Sequence, residues 1–151
     1  MESVLPCGLV WLRRDLRVHD NAALYHALKH CRQVHVVFVF DTALLDSLPR
    51  ADRRVEFIRE SLLELDQRLA QLGAAHGVQG SGLIVRHGLA EHEVPQLAQQ
   101  LGALAVFASH DDEPAALLRD GHVRGHLANH GIALHTCKDH VVFERQEVMT
   151  L

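Results

Sequence analysis

The chain has few of the residues that build disulfide frameworks, membrane spans or nucleic-acid surfaces. Its three cysteines are widely spaced and form no CxxC pair, so we expect reduced thiols and a cytoplasmic protein. No apolar run approaches the length of a transmembrane helix, and the first residues lack the basic-then-apolar order of a signal peptide, so we expect no membrane partner. A net charge of −4 argues against direct binding to a phosphate backbone, which requires clustered Lys and Arg.

The common cofactor and catalytic motifs are absent as well. The sequence contains no GxGxxG dinucleotide turn, no GxxxxGK[ST] phosphate loop and no GxSxG nucleophile elbow. Thirteen histidines are scattered along it, and the pairs His26/His30 and His122/His126 have the i, i+4 spacing of helical metal ligands. Neither pair belongs to an HExxH arrangement, so we interpret these histidines as packed or solvated and expect no metal site.

The residues that are present are typical of one globular α/β domain over residues 1–151. Hydrophobic residues make up 48% of the chain and charged residues 23%. Apolar runs rich in β-branched residues alternate with amphipathic stretches, which predicts strands alternating with helices. The predicted strands are 8–13, 34–40, 83–87, 104–108 and 132–136, and the predicted helices are 22–31, 55–72, 90–101 and 114–129. Gly73, Gly102 and Gly131 each follow a predicted helix, where a left-handed cap belongs.

This alternation predicts a Rossmann-like, five-stranded parallel sheet with right-handed crossovers and helices on both faces. With the strand order 3-2-1-4-5, the order reverses between the first and fourth strands, and such sheets bind ligands beyond the carboxyl ends of the strands at that point. The two most polar strand-to-helix loops, Arg14–Asn21 and Ser109–Pro114, meet there. We therefore predict the functional site at their junction.

Both loops also have structural interpretations. Alternating Arg and Asp residues in the first loop can lock it by bidentate pairing without binding a ligand. Asp20 or Asn21 can cap the helix that follows. In the second loop, Asp111, Asp112 and Glu113 could hold a divalent metal, but carboxylates at this position also favour the positive end of the next helix.

Several stretches resemble the DNA photolyase and cryptochrome family. The segment 9–21, LVWLRRDLRVHDN, is similar to its N-terminal signature, and Arg54-Val-Glu-Phe-Ile resembles the start of its long helix. Asp111-Asp-Glu-Pro, followed by Arg119-Asp120 and Val123, resembles its motif after the fourth strand. Glu147-Val-Met-Thr resembles the exit from its N-terminal domain. The resemblance covers essentially the whole chain.

The resemblance implies a light-harvesting N-terminal domain of a deoxyribodipyrimidine photolyase. In that family a C-terminal helical domain holds FAD and the damaged DNA, and light-excited reduced flavin splits pyrimidine dimers. The resemblance places that helical domain outside this chain, so we expect no catalytic residue here. Two alternatives stay open: a cryptochrome-type blue-light photoreceptor domain, and a stand-alone nucleotide-binding α/β domain.

The resemblance also implies an antenna chromophore. Folate-binding members carry an Asn-Glu pair where this chain has Ala115 and Ala116, and a methyl group cannot hydrogen-bond a pterin. An 8-hydroxy-deazaflavin or a flavin is therefore favoured over a folate. The implied contacts include Arg54 and Asp111 at the polar edges of the ring and Phe40 against its face. The full implied set is Trp11, Leu12, Arg13, Phe40, Asp41, Arg54 and Asp111.

A second set of residues is implied to act in structure or in docking of the helical domain. By the resemblance they pair within the first loop and across the domain boundary. They are Arg14, Asp15, Arg17, Asp20, Asn21 and Glu113.

Overall fold

In the part of the chain that the structure describes, strands and helices follow the apolar runs and amphipathic stretches of the sequence. The computed structural model describes residues 4–13, 16, 21–42, 53–75, 77 and 81–138, with the backbone alone at 53–55. The strands are β1 (Leu5–Leu12), β2 (Cys31–Asp41), β3 (Leu83–Gly88), β4 (Ala105–Ser109) and β5 (Ala133–Cys137). The helices are α1 (Ala22–His30), α2 (Arg53–Ala75), α3 (Ala90–Leu101) and α4 (Pro114–Ala128).

The strands form one parallel sheet in the order β3-β2-β1-β4-β5, so the predicted fold class and strand order are confirmed. β1 lies at the centre and pairs with both β2 and β4; Val10 is opposite Val36 on one side and Phe107 on the other. Because β1 is covered on both faces, its side chains from Cys7 to Leu12 are all buried, which explains its continuous apolar run.

The alternation of side chains along the strands divides the core into two layers. Leu9 and Trp11 of β1 face α3 and α4, where they pack with Val94 and Val123. Val10 and Leu12 face the other way. On that side they pack with residues of α1 and α2, including Ala23, Leu24, Ala27, Leu65 and Leu69. Within the described residues, the helices are too short or too polar to cross a bilayer.

One of the three predicted glycine caps is confirmed. Gly102 has a φ of 72° and donates its N–H to the carbonyls of Ala98 and Gln99 at the end of α3. Gly131 also has a left-handed φ of 71°, but the residue that caps α4 is Asn129. The prediction for Gly73 is wrong, because α2 continues to Ala75. Alanines at 74 and 75 favour continuation of the helix, and the left-handed residue is Gly77, with a φ of 77°.

None of the three cysteines forms a disulfide, and two of them lie in the core. Burial raises the pKa of Cys7, whereas the pKa of Cys31 is raised first by burial and then by the neighbouring Cys7. Both thiols therefore stay protonated and poorly nucleophilic near neutral pH.

Gly8 of β1 is packed closely against the side chains of Cys31 and Phe107. A Cβ atom at this position would lie 2.5 Å from Sγ of Cys31 and 3.3 Å from the Phe107 ring. We predict that Gly8→Ala lowers the free energy of unfolding by about 1–3 kcal/mol because it overpacks a rigid core. Urea denaturation followed by far-UV circular dichroism measures the change.

Gly121→Ala is the matched control, since a Cβ atom at this helical position meets nothing within 4 Å. It should raise the stability by up to about 1 kcal/mol through helix propensity. Equal destabilisation by both substitutions would contradict the close packing at Gly8.

Candidate functional site

The carboxyl ends of β1 and β4 lie side by side at the predicted reversal of strand order, and a buried ion pair joins them. Arg13 directly follows β1, and its Nη1 atom lies 2.6 Å from Oδ1 of Asp120 in α4. The two side chains are only 8% and 5% exposed. The same guanidinium donates through Nη2 to the carbonyl oxygen of Ser109, the last residue of β4. Arg13 thus holds two strand ends and one helix together.

Trp11 lies against two guanidinium groups. The central guanidinium carbon of Arg13 is 4.7 Å from the centroid of its ring, and that of Arg119 is 5.1 Å away. The indole is 1% exposed, so it stabilises the cations from inside the core. Nε of Arg119 is buried without a hydrogen-bond partner and lies 3.6 Å from Oδ1 of Asp120, which already accepts from Arg13.

An aromatic group lies on the opposite face of the sheet, at the carboxyl ends of β2 and β3. The Phe40 ring packs edge-on against Phe38, with centroids 5.0 Å apart and planes at 82°. It also stacks on His87 of the neighbouring strand, with centroids 4.8 Å apart and planes at 12°. Ile58 and Leu62 of α2 pack over this group.

The segment between β4 and α4 forms a tight acidic turn. Oδ1 of Asp111 accepts a hydrogen bond of 3.0 Å from the backbone N–H of Glu113, which precedes the first helical residue, Pro114. Asp112 is 87% exposed and binds His110 at 2.7 Å. Asp111 is half-buried, whereas its neighbour Asp112 is exposed.

Asn21 has the capping role that the sequence allowed. Its side chain accepts a hydrogen bond of 3.1 Å from the backbone N–H of Leu24, and it is 3% exposed at the start of α1. A buried asparagine in this position satisfies an otherwise orphaned N–H group of the first helical turn.

Several predicted residues lie where the structure describes them in part or not at all. Asp41 is the half-buried last residue of β2. Arg54 is in the first turn of α2, and its side chain is outside the described residues. Arg14, Asp15, Arg17 and Asp20 are also outside them. The roles implied for these residues stay predictions.

The sheet separates the predicted contact residues into two groups. Trp11 belongs to the core between the sheet and α3–α4, and Leu12 and Phe40 belong to the core on the α1–α2 side. Trp11 and Leu12 are 1% and 2% exposed, so their side chains offer little surface to a ligand. A ligand that touches both groups has to lie across the carboxyl edge of the sheet.

The histidine pair His122/His126 packs against the first turn of α3. Nδ1 of His122 lies 2.9 Å from Oε2 of Glu91, and Nδ1 of His126 lies 2.8 Å from the carbonyl oxygen of Glu91. These contacts join α4 to α3. In the described part of the chain, no group of three or more His, Cys, Asp or Glu side chains has the arrangement of a metal site.

Comparison with known proteins identifies the family. A family model described as DNA photolyase matches residues 8–150. The chain belongs to the DNA photolyase and cryptochrome family. A deoxyribodipyrimidine photo-lyase of Synechococcus sp. is 36% identical over 142 residues, which cover 94% of this chain and 28% of the relative. A cryptochrome DASH of Synechocystis sp. is 30% identical over 112 residues, which cover 71% of this chain and 22% of the relative.

A solved structure agrees with this assignment. The archaeal photolyase of Sulfolobus tokodaii superposes with a TM-score of 0.76 and 32% identity, over 87% of this chain and 29% of that protein. The chain therefore spans less than a third of each of these photolyase and cryptochrome relatives. It corresponds to their α/β domain.

Asp120 and His87 were not among the predicted site residues of this photolyase-type domain. Arg119-Asp120 stood out as part of the family resemblance, but nothing in the local sequence assigns Arg13 as the partner of Asp120, 107 positions away. His87 looked like one more of many scattered histidines. Its position became significant only when the register of β2 and β3 placed it opposite Phe40.

We predict that Asp120→Asn lowers the free energy of unfolding of this photolyase domain by about 2–4 kcal/mol, since it leaves the Arg13 guanidinium buried without its counter-charge. Thermal or urea unfolding followed by the fluorescence of Trp11, the single tryptophan of the chain, measures the effect.

The exposed pair of Arg68 and Glu64, 2.9 Å apart, provides the control. Glu64→Gln should change the stability by no more than about 0.5 kcal/mol, because water screens that pair. A loss below about 1 kcal/mol for Asp120→Asn would mean that the Arg13 pair contributes no more than a surface contact.

Proposed function

We propose that this chain is the light-harvesting domain of a deoxyribodipyrimidine photolyase. It binds an antenna chromophore that absorbs light and transfers the excitation to FAD in a C-terminal helical domain, which lies outside this chain. Damaged DNA binds through that helical domain, where the reduced flavin splits pyrimidine dimers. The observation that carries the proposal is the likeness to the Sulfolobus tokodaii photolyase, which is described with two FAD molecules that imply a novel light-harvesting cofactor.

The geometry of the carboxyl edge supports a flat, partly polar ligand. Binding pockets for such ligands combine apolar walls with a few well-placed polar groups. Here Phe38, Phe40 and His87 provide an aromatic wall at the ends of β2 and β3. The half-buried Asp111 lies at the end of β4, and Arg54 starts the helix that packs over the aromatic wall.

The chromophore we propose is an 8-hydroxy-deazaflavin or a flavin, not a folate. At the positions of the Asn-Glu pair expected in folate-binding members, Ala115 is exposed and Ala116 is 8% exposed on the buried side of α4. Neither methyl group can donate or accept a hydrogen bond to a pterin. The carboxylate of Asp111 can accept from the N–H group of a flavin-type ring.

The remaining polar residues of the edge are assigned to docking of the helical domain. In the sequence, Arg14, Asp15, Arg17 and Asp20 lie between β1 and α1, and Glu113 precedes α4. Charged residues of both signs in these two segments suit a polar interface between domains of one chain. The greater length of the relatives supports a second domain that uses this surface.

A cryptochrome-type photoreceptor is the second candidate. The likeness to the cryptochrome DASH of Synechocystis sp. favours it. The same antenna domain then serves light sensing, and the two candidates differ in the helical domain.

Titration of the 151-residue chain with FMN, 8-hydroxy-5-deazariboflavin and methenyltetrahydrofolate tests the antenna role. We expect FMN or the deazaflavin to bind more tightly than the folate, measured by fluorescence anisotropy. Arg54→Ala and Asp111→Asn should each weaken this binding about tenfold, because each removes a charge-assisted hydrogen bond of about 1.5 kcal/mol.

Arg59→Ala and Asp112→Asn are the matched controls. Arg59 is exposed on the same helix as Arg54, and Asp112 is the exposed neighbour of Asp111. Both variants should bind with the affinity of the parent chain. Preferential folate binding would contradict the argument from Ala115 and Ala116, and failure of all three compounds would contradict the antenna role.

Repair assays separate the two candidates. We expect the full-length protein to bind FAD and to remove pyrimidine dimers from an irradiated oligonucleotide under blue light, and the 151-residue chain alone to remove none. Dimer loss is measured by chromatography of the digested DNA, with a dark sample as control. FAD binding and photoreduction without repair would favour the cryptochrome.

A further inference from the structure

The exposed ring of the aromatic group belongs to His87, whereas the ring of Phe40 is buried. Phe40 is 7% exposed, and its ring is stacked under the imidazole of His87 with the two planes 12° apart. His87 itself is exposed. The ring that a flat ligand meets at this edge therefore belongs to β3, one strand further out than the sequence predicted.

Side chains of β2 and α2 pack against the stack of Phe40 and His87. Phe38 packs edge-on against Phe40, Leu62 of α2 belongs to the same buried cluster, and Ile58 packs against that cluster. Arg54 precedes Ile58 by one helical turn of α2. His87 thus stacks on a phenylalanine that is itself tightly packed, at the carboxyl ends of β2 and β3.

A second pair in the sheet has the same construction and a different position. His135 of β5 is exposed and lies against the buried Phe107 of β4, with centroids 5.3 Å apart and planes at 30°. Val10 pairs with both Val36 and Phe107, so Phe107 is level with Val36. Phe40 lies four residues further along β2, about 13 Å closer to the carboxyl edge.

The different positions of the two pairs distinguish a histidine that only packs on a phenylalanine from one that can also bind a ligand. A histidine that only covers a phenylalanine can lie anywhere along the sheet, and His135 does so further from the carboxyl edge, two residues before the end of β5. His87 lies in the penultimate pair of β2 and β3, at the edge where parallel sheets bind ligands. Its imidazole offers a flat face for stacking and ring nitrogens that can hydrogen-bond a polar ring edge.

We propose that His87 is the residue that stacks on the antenna chromophore, and that Phe40 positions His87 without contacting the chromophore itself. The ligand class is a planar tricyclic flavin or deazaflavin. The inference rests on the proposed antenna function and extends it, since it names a contact on β3 that determines how the ring is oriented.

Three variants of the 151-residue chain test the role of His87: His87→Ala, His87→Phe and His135→Ala. FMN and 8-hydroxy-5-deazariboflavin are the probes, and the readouts are the dissociation constant, the absorption spectrum of the bound probe and the urea midpoint. His87→Ala should weaken binding about three- to tenfold and shift the spectrum, as expected for loss of one aromatic contact. His87→Phe should keep the affinity within about twofold, because it retains the stacking face.

His135→Ala is the matched control, since it removes the same kind of cross-strand contact away from the edge. It should lower the urea midpoint about as much as His87→Ala and leave both the affinity and the spectrum unchanged.

The outcomes distinguish this inference from the proposed function. If the parent chain binds neither probe, the antenna function fails and the inference fails with it. If the parent chain binds a probe and His87→Ala binds it with the same affinity and spectrum, only the inference is overturned. Equal weakening by His87→Ala and His135→Ala would assign His87 a purely structural role.

Discussion

The buried ion pair between Arg13 and Asp120 is the contact on which the carboxyl edge of this domain depends. It joins the residue after the central strand to the second turn of α4, and Arg13 also binds the carbonyl at the end of β4. Because both side chains are nearly buried, loss of either leaves a charge without its partner in a medium of low polarity. A single buried ion pair therefore connects the ends of β1 and β4 to α4.

The two faces of the edge have different chemistry, and this division follows from the period of the strands. Successive residues of β1 and β2 point to opposite sides, so Trp11 and Arg13 lie with α4, whereas Phe38 and Phe40 lie with α2. The ionic face locks strands and helix together. On the aromatic face, the exposed imidazole of His87 is stacked on the buried ring of Phe40.

Local sequence predicted most of the fold because the signals were redundant. The central strands β1 and β2 contain apolar runs, α2 and α3 carry amphipathic stripes, and Asn21 and Gly102 cap helices as their conformational preferences require. Gly73 shows the limit of a single signal. A glycine after an apolar stripe ends a helix only if the following residues do not continue it, and two alanines here do so.

The sequence by itself determined the α/β class and, through its resemblance, the family. The tertiary structure decided which residues meet at that edge. Asp120 became the partner of Arg13 only through the crossover that places α4 beside β1, and His87 covered Phe40 only through the register of β2 and β3. Such contacts depend on the relative placement of distant segments, which local propensity does not specify.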